Sequence, residues 1–279
     1  MSKNTLISPI VKWVGGKRQL LSEIMPLIKK GCCTYIEPFI GGGAVFFELQ
    51  PQKAIINDFN SELINVYRVV RDFSEELIKE LEKHDCNNSE EYYYEIRSLD
   101  RSSEFTNMSD IKKAARLLYL NKTCYNGLYR VNSCGQFNSP YGRYKKPNIV
   151  NAVTIRAMSK YLQNNDIEIK QGDYRDVLQE LRKGSFVYLD PPYMPISSSS
   201  SFTGYTENGF SYEHQVLLKK ECDKLREKGI SFLQSNSDCP EIRELYSDYN
   251  IKTVRAKRSI NSNAKRRGEV NEVLIYYGE

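Results

Sequence analysis

The hydrophobic pattern of the chain shows seven short apolar runs bounded by turn residues, at 35–39, 54–57, 167–170, 186–189, 230–234, 251–255 and 273–277. Their length and their content of Val, Ile, Tyr and Phe predict strands, and helical patterns between several of them predict an α/β sheet. The alternation stops at about Phe59 and resumes after Asn165. Inside that interval apolar positions recur at helical spacing over 62–70, 75–83 and 111–122, ahead of a stretch rich in Tyr, Asn and Gly. The pattern predicts a mainly helical subdomain at 59–165, inserted into a sheet domain made of 1–58 and 166–279. Within it, Gly127-Leu128-Tyr129-Arg130-Val131-Asn132 followed by Ser133-Cys134-Gly135-Gln136-Phe137-Asn138 predicts a β-hairpin with a glycine in its turn.

The fourth run, Phe186-Val187-Tyr188-Leu189, is apolar throughout and ends in Asp190-Pro191-Pro192-Tyr193. In open α/β sheets ligands gather beyond the carboxyl ends of strands, and two prolines there fix φ and remove two backbone donors. What remains is a rigid group of acceptors beside an aromatic ring. Such a group suits an amine whose lone pair is delocalised into a heteroaromatic ring, because acceptors can orient its hydrogens and stabilise developing positive charge. Four residues alone leave a plain Pro-Pro turn, with Asp190 as a helix cap, equally open.

The first run leads into Ile40-Gly41-Gly42-Gly43-Ala44 and a helical stretch, a turn where backbone can approach a ligand closely. The second ends in Asn57-Asp58, the place from which an acid commonly holds a nucleoside ribose. The glycines do not form GxGxxG. Gly15-Gly16-Lys17-Arg18 is not a phosphate loop either, since Val11 stands at the upstream glycine position and no Ser or Thr follows the lysine. Glu37 and Pro38 suit a cofactor with a cationic amino acid tail, such as S-adenosylmethionine, better than a pyrophosphate. A nicotinamide cofactor stays open at this point.

Composition narrows the picture. The 279 residues include seven cysteines without a CxxC pair and only two histidines, so no metal site is expected. No apolar run nears the roughly 18 residues of a membrane span, and no secretory leader is read at the start, which predicts a soluble cytoplasmic protein. The net charge of +5 is unevenly spread. Residues 111–165 hold ten of the 40 Lys and Arg, namely Lys112, Lys113, Arg116, Lys122, Arg130, Arg143, Lys145, Lys146, Arg156 and Lys160, and none of the 35 Asp and Glu. A second basic cluster, Arg255, Lys257, Arg258, Lys265, Arg266 and Arg267, is interleaved with Ser259, Asn261, Ser262 and Asn263. Positive charge mixed with Ser, Asn and Tyr suits a phosphate backbone, and a hairpin carrying Arg130, Asn132 and Gln136 could read base edges in a major groove. Five serines at 197–201 predict a flexible linker or lid.

Taken in order, several motifs resemble the Dam-type family of DNA adenine-N6 methyltransferases, including restriction-system members that act at GATC. They are Lys12-Trp13-Val14-Gly15-Gly16-Lys17, Glu37-Pro38-Phe39-Ile40-Gly41-Gly42-Gly43, Asn57-Asp58, Tyr125-Asn126-Gly127-Leu128-Tyr129-Arg130-Val131-Asn132, Tyr141-Gly142-Arg143-Tyr144-Lys145, Asp190-Pro191-Pro192-Tyr193 and the basic carboxyl-terminal stretch. The resemblance implies a Rossmann-like S-adenosylmethionine-dependent sheet with an inserted DNA-recognition subdomain. It implies that Trp13, Lys17, Glu37, Gly41, Asp58, Asp173 and Asp190 line the cofactor pocket, and that Asp190, Pro191, Pro192 and Tyr193 form the catalytic turn holding a flipped adenine. Lys12 then reads an outer guanine and Arg130 another base pair. Tyr125 and Asn126 stand at the disturbed stack, and Leu128, Asn132, Pro140, Arg143 and Tyr144 lie near DNA. The expected partner is double-stranded DNA, the expected state a monomer. Residue types alone leave Trp13 open as core, Asp58 and Asp173 as cap or turn residues, and Arg143 as a solvated charge. N4-cytosine or RNA adenine methylation, or DNA binding without turnover, are the alternatives.

Overall fold

A computed structural model describes residues 3–179, 181–194, 210–257 and 269–278. All seven predicted runs are strands: β1 (Tyr35–Glu37), β2 (Lys53–Asp58), β3 (Asp166–Gln171), β4 (Phe186–Leu189), β5 (Ser231–Ser237), β6 (Asn250–Lys257) and β7 (Glu269–Tyr277). They form one mixed sheet in the order β3-β2-β1-β4-β5-β7-β6. β1 pairs parallel with β2 and β4, β4 pairs parallel with β5, and β7 runs antiparallel to both β5 and β6. The carboxyl ends of β2, β1, β4 and β5 therefore lie along one edge. β1 stops at Glu37, two residues short of the predicted run. There the chain wraps the end of β2 instead of extending the ladder: the Ile40 amide donates to the Asn57 carbonyl at 2.8 Å, and Asn57 Nδ2 donates to the Pro38 carbonyl at 3.0 Å.

By Cα proximity the chain divides into two compact units. The first comprises Met1–Gly16, Gly41–Gln52 and Asn60–Gln171; the second comprises Lys17–Ile40, Lys53–Phe59 and Gly172–Glu279.

In the first unit the predicted helices are present as Ser61–Asp72, Ser74–Cys86 and Asp110–Thr123, joined by Glu90–Ser98 and Ala152–Asn164. Polar caps fix where they begin. Asn60 accepts from the Leu63 amide, and Ser89 from the Tyr92 amide. The helix Ser61–Asp72 buries Leu63, Ile64, Val66, Tyr67, Val69 and Val70 on one face, whereas Asp110–Thr123 is buried continuously from Ala114 to Asn121 and forms the centre of the unit. The predicted hairpin is shorter than an ordinary pair of strands. A single bridge joins Val131 to Phe137, flanked by bonds from the Asn132 amide to the Gln136 carbonyl and from the Asn138 amide to the Arg130 carbonyl, both 2.9 Å. Asn132 Oδ1 accepts from the amides of Cys134 and Gln136, an Asx-type turn that closes the loop before a ladder develops.

The second unit packs Ile36, Val187, Leu189, Phe232, Val273 and Ile275 of the sheet against Leu218, Cys222 and Leu225 of the helix Tyr212–Glu227. That helix opens on a capping box in which Ser211 and His214 satisfy each other's backbone donors. β4 is buried at all four positions and β5 at all seven, as strands are when both faces are covered. Among the described residues no helix is long and apolar enough to cross a membrane, and no three His, Cys, Asp or Glu side chains gather as a metal site requires. The serines at 197–201 and the basic residues from Arg258 to Arg267 lie outside the described residues.

Candidate active site

Within the second unit, three carboxylates stand at the carboxyl ends of three adjacent strands: Asp58 ends β2, Glu37 ends β1 and Asp190 follows β4. Lys17 joins them. Its Nζ lies 2.8 Å from Asp190 Oδ1 and 4.7 Å from the centroid of the Tyr193 ring, and its side chain is only 5% exposed. Burial pushes the Asp190 carboxyl up to about 6, against the lowering influence of Lys17 and with a further upward push from Glu272. Tyr193 is shifted upward by burial and by the same two carboxylates, and its hydroxyl donates to Glu272 Oε2 at 2.7 Å. Glu37, buried, accepts from the Tyr35 hydroxyl at 2.6 Å; burial and Glu37 together raise the Tyr35 phenol far above its ordinary value.

The backbone of the turn after β4 is clamped by buried amides. Gln215 Nε2 donates to the Pro192 carbonyl at 3.0 Å, and Gln215 Oε1 accepts from Asn236 Nδ2 at 2.9 Å. Asn236 Oδ1 accepts from the Met194 amide at 3.3 Å, and the Ser237 hydroxyl donates to the Met194 carbonyl at 2.7 Å. No described residue donates to the Pro191 carbonyl. The clamp accounts for Asn236 and Ser237 in a fully buried strand, where polar groups need partners; of the two polar residues before them, Ser235 pairs with the Tyr188 hydroxyl at 2.8 Å and Gln234 Oε1 accepts from Cys222 Sγ at 3.5 Å. Sequence reasoning missed Gln215, Asn236, Ser237 and Glu272. The one local signal was that polar run directly after the apolar Phe232-Leu233.

Asp173 caps the helix Tyr174–Leu178 and is gripped by Arg175, whose Nε and Nη2 donate to its two oxygens at 2.9 and 2.7 Å. The Arg175 hydrogen bond holds its carboxyl below the usual range.

In the first unit, Trp13 stacks on Tyr129 with ring centroids 4.7 Å apart and 27° between planes. A Cβ at Gly41, whose φ is +48°, would stand 3.1 Å from Trp13 Cδ1, and one at Gly43, at φ +72°, would meet the Tyr67 hydroxyl at 2.7 Å. The glycine turn thus follows from packing as well as from left-handed backbone. Lys12 is tied to the far end of the unit by Asn121: its amide donates to Asn121 Oδ1 at 2.8 Å, and Asn121 Nδ2 donates to the carbonyls of Lys12 and Gly127. This brings the Lys12 side chain against Gly127, in the segment that holds Tyr125, Asn126 and Leu128. Tyr125 is 55% exposed, and Asn126 adopts a left-handed conformation at φ 58°. The Tyr125 amide donates to the Pro140 carbonyl at 2.8 Å, which draws the segment from Pro140 to Tyr144 alongside.

Arg130 and Asn132 bond within their own loop. Arg130 Nε and Nη2 donate to Asn138 Oδ1 and O, and Asn132 Nδ2 donates to Gln136 Oε1. Arg116, one of the ten cations of the acid-free segment, is not a surface charge. It is 1% exposed, pairs with Asp100 at 2.8 Å and donates to the carbonyls of Ile96 and Arg97. Asp100 Oδ2 also accepts from the Phe137 amide at 2.7 Å, so a buried ion pair holds the base of the loop. Arg143 pairs with Glu90 and Arg156 with Glu75, while Lys145 and Lys146, next to Tyr144, are among the segment's other exposed charges.

Residues 13–260 match the family model of the D12 class N6 adenine-specific DNA methyltransferases. The type II methyltransferase M1.LlaDCHI of Lactococcus lactis subsp. cremoris is 49% identical over 276 residues, covering 99% of this chain and 97% of that protein. The type II methyltransferase M.MjaIII of Methanocaldococcus jannaschii is 41% identical, covering 96% and 98%. The DNA adenine methylase of Escherichia coli (strain K12) is 38% identical over 270 residues, covering 96% and 94%.

Proposed function

The chain belongs to the D12 class N6 adenine-specific DNA methyltransferases and is a site-specific adenine methylase; we propose that its donor is S-adenosylmethionine, its site GATC and its catalytic turn Asp190 to Tyr193. The observation that carries this reading is the Asp190 turn: a carboxylate and a Pro191 carbonyl to which no described residue donates, at a strand end held by buried amides beside the Tyr193 ring.

The donor set fits the proposed cofactor. A zwitterionic amino acid tail and a ribose call for one cation and several acids, and Lys17, Glu37, Asp58 and Asp190 supply them along adjacent strand ends. Trp13, Gly41 and Asp173 complete the proposed set. When bound, the cofactor supplies an electrophilic sulfonium methyl. Lys17 orients the Asp190 carboxylate and keeps it ionised. Asp190 and the Pro191 carbonyl accept hydrogen bonds from the exocyclic amine of an adenine taken out of the duplex, which directs the lone pair of N6 toward the methyl. With the donor bound, the Asp190 carboxylate would take up the proton that N6 must lose on gaining a methyl. Tyr193 stacks on the adenine, and Pro192 fixes the turn. No covalent link to the protein is needed.

DNA recognition is assigned to 59–165, together with Lys12. Lys12 and Arg130 read base pairs, Tyr125 and Asn126 occupy the opened stack, and Leu128, Asn132, Pro140, Arg143 and Tyr144 track the duplex. In this assignment Arg130 and Asn132 exchange their bonds within the loop for bonds to base edges. The GATC assignment rests on the motifs around Lys12 and Tyr125 to Asn132, and the protein is proposed to act as a cytoplasmic monomer. Labelled methyl transfer to duplexes that contain or lack GATC tests both parts. Label as N6-methyladenine on the GATC duplex alone is the expected result; equal label on both would remove the GATC assignment, and no label with the cofactor bound would remove the catalytic one.

A further inference from the structure

Glu272 is not used by the mechanism above. We infer that it is a positioning residue for methyl transfer: from β7 it holds the Tyr193 phenol and thereby fixes the face that this ring turns toward Lys17 and the target adenine. The inference rests on the reading of Tyr193 as the ring beside that adenine.

The backbone on either side of Tyr193 is already fixed. Two prolines precede it, and the Pro192 carbonyl and both backbone groups of Met194 are bonded to Gln215, Asn236 and Ser237. What remains free is rotation of the side chain itself. The bond from the Tyr193 hydroxyl to Glu272 Oε2, at 2.7 Å, removes that freedom, and a phenol-to-carboxylate bond is a strong, charge-assisted one. Glu272 is well placed as an anchor. It stands opposite Ser237 of β5 and Val254 of β6 on a strand paired on both sides. So held, the ring presents its face to Lys17 Nζ at 4.7 Å from the centroid.

Stability alone does not explain this carboxylate. Glu272 forms no ion pair with a described cation, and its charge makes ionisation of Asp190 harder. Such a cost is reasonable where the phenol must be held for function. The bond adds a second effect: a phenol donating to a carboxylate has a more electron-rich ring, and this favours the positive charge that develops on the methylated amine.

The test uses single-turnover methyl transfer by the full chain to a GATC duplex, with 2-aminopurine emission at the target position as a report on base placement. Glu272→Ala and Tyr193→Phe should each slow transfer by on the order of tenfold, and the double variant should be no slower than either single one. Glu272→Gln, whose amide oxygen still accepts from the phenol, should recover the rate to within about threefold of the parent. The two single variants should alter 2-aminopurine emission alike, a signature that simple loss of stability would not give. Slow transfer by Glu272→Ala with unimpaired Tyr193→Phe, or multiplicative losses in the double variant, would overturn the inference while leaving the Tyr193 stacking role intact. Parental rates in Tyr193→Ala would instead sink the stacking role and this inference with it.

Discussion

In the turn 190–194 the Pro192 carbonyl and both backbone groups of Met194 are taken up by Gln215, Asn236 and Ser237, and Asp190 is paired with Lys17 and Tyr193 with Glu272. Between residues 125 and 144 exposed side chains, among them Tyr125, Arg130, Arg143 and Tyr144, stand on backbone of irregular and partly left-handed conformation over the buried Tyr129 and Phe137, and the fixing groups are the buried side chains of Asp100 and Arg116. The contrast follows from the role proposed for each region. Methyl transfer needs atoms held to a fraction of an ångström before substrate arrives, so its acceptors sit on strand ends with no torsion left free. Reading a duplex needs side chains that can leave one hydrogen bond for another, so only their base is held rigidly. Arg130, bonded to Asn138 within its own loop, is such a side chain.

The largest expected effect separates the two regions outright. Asp190→Ala should lower methyl transfer by on the order of 10³-fold or more while duplex retention stays within about threefold; turnover near the parental rate would mean that the turn after β4 is not where the chemistry occurs. The next acts on the support beneath the loop. Asp100→Ala leaves Arg116 buried without its partner and the Phe137 amide without its acceptor, and urea unfolding should record a loss of about 3–5 kcal/mol. A loss below about 1 kcal/mol would show that the loop is not held from beneath.

A subtler test is pH. In the proposed mechanism Asp190 accepts from the amine only when ionised, and burial lifts its carboxyl to about 6, so the single-turnover rate at saturating cofactor and DNA should fall as pH drops through that value. Lys17 opposes the lift, so Lys17→Met should move this acid limb to higher pH; a limb that stays or moves down contradicts the pairing. Smallest is Lys146→Ala, which should reduce the slope of log affinity against log salt by about 0.9 if this lysine meets one phosphate, and leave it unchanged if the charge is merely solvated.

The sheet was legible because its strands are short apolar runs between turn residues, and β4 declared its burial by having no polar position at all. The Asp190 turn and the glycine turn were legible because proline and glycine constrain backbone locally. What escaped was pairing across long stretches of chain. Tyr193 and Glu272 are separated by 79 positions, and Asp100 and the Phe137 amide by 37, and no periodicity links residues so far apart. Arg116 was misjudged for a related reason. Counting charges treats it as surface, but the helix Asp110–Thr123 is buried nearly all round, and only the unit's tertiary packing reveals that. The hairpin came out shorter than its sequence suggested because Asn132 captures two amides of its own turn.

The most direct test of the division between chemistry and reading is a single-turnover comparison of Asp190→Ala and Arg130→Ala on GATC and on duplexes with one base pair changed. The account predicts no transfer on any duplex for Asp190→Ala, and for Arg130→Ala a rate on GATC close to the parent with discrimination at one base pair reduced by about 1–3 kcal/mol. An Arg130→Ala protein that loses transfer equally on every duplex, with discrimination unchanged, would contradict it.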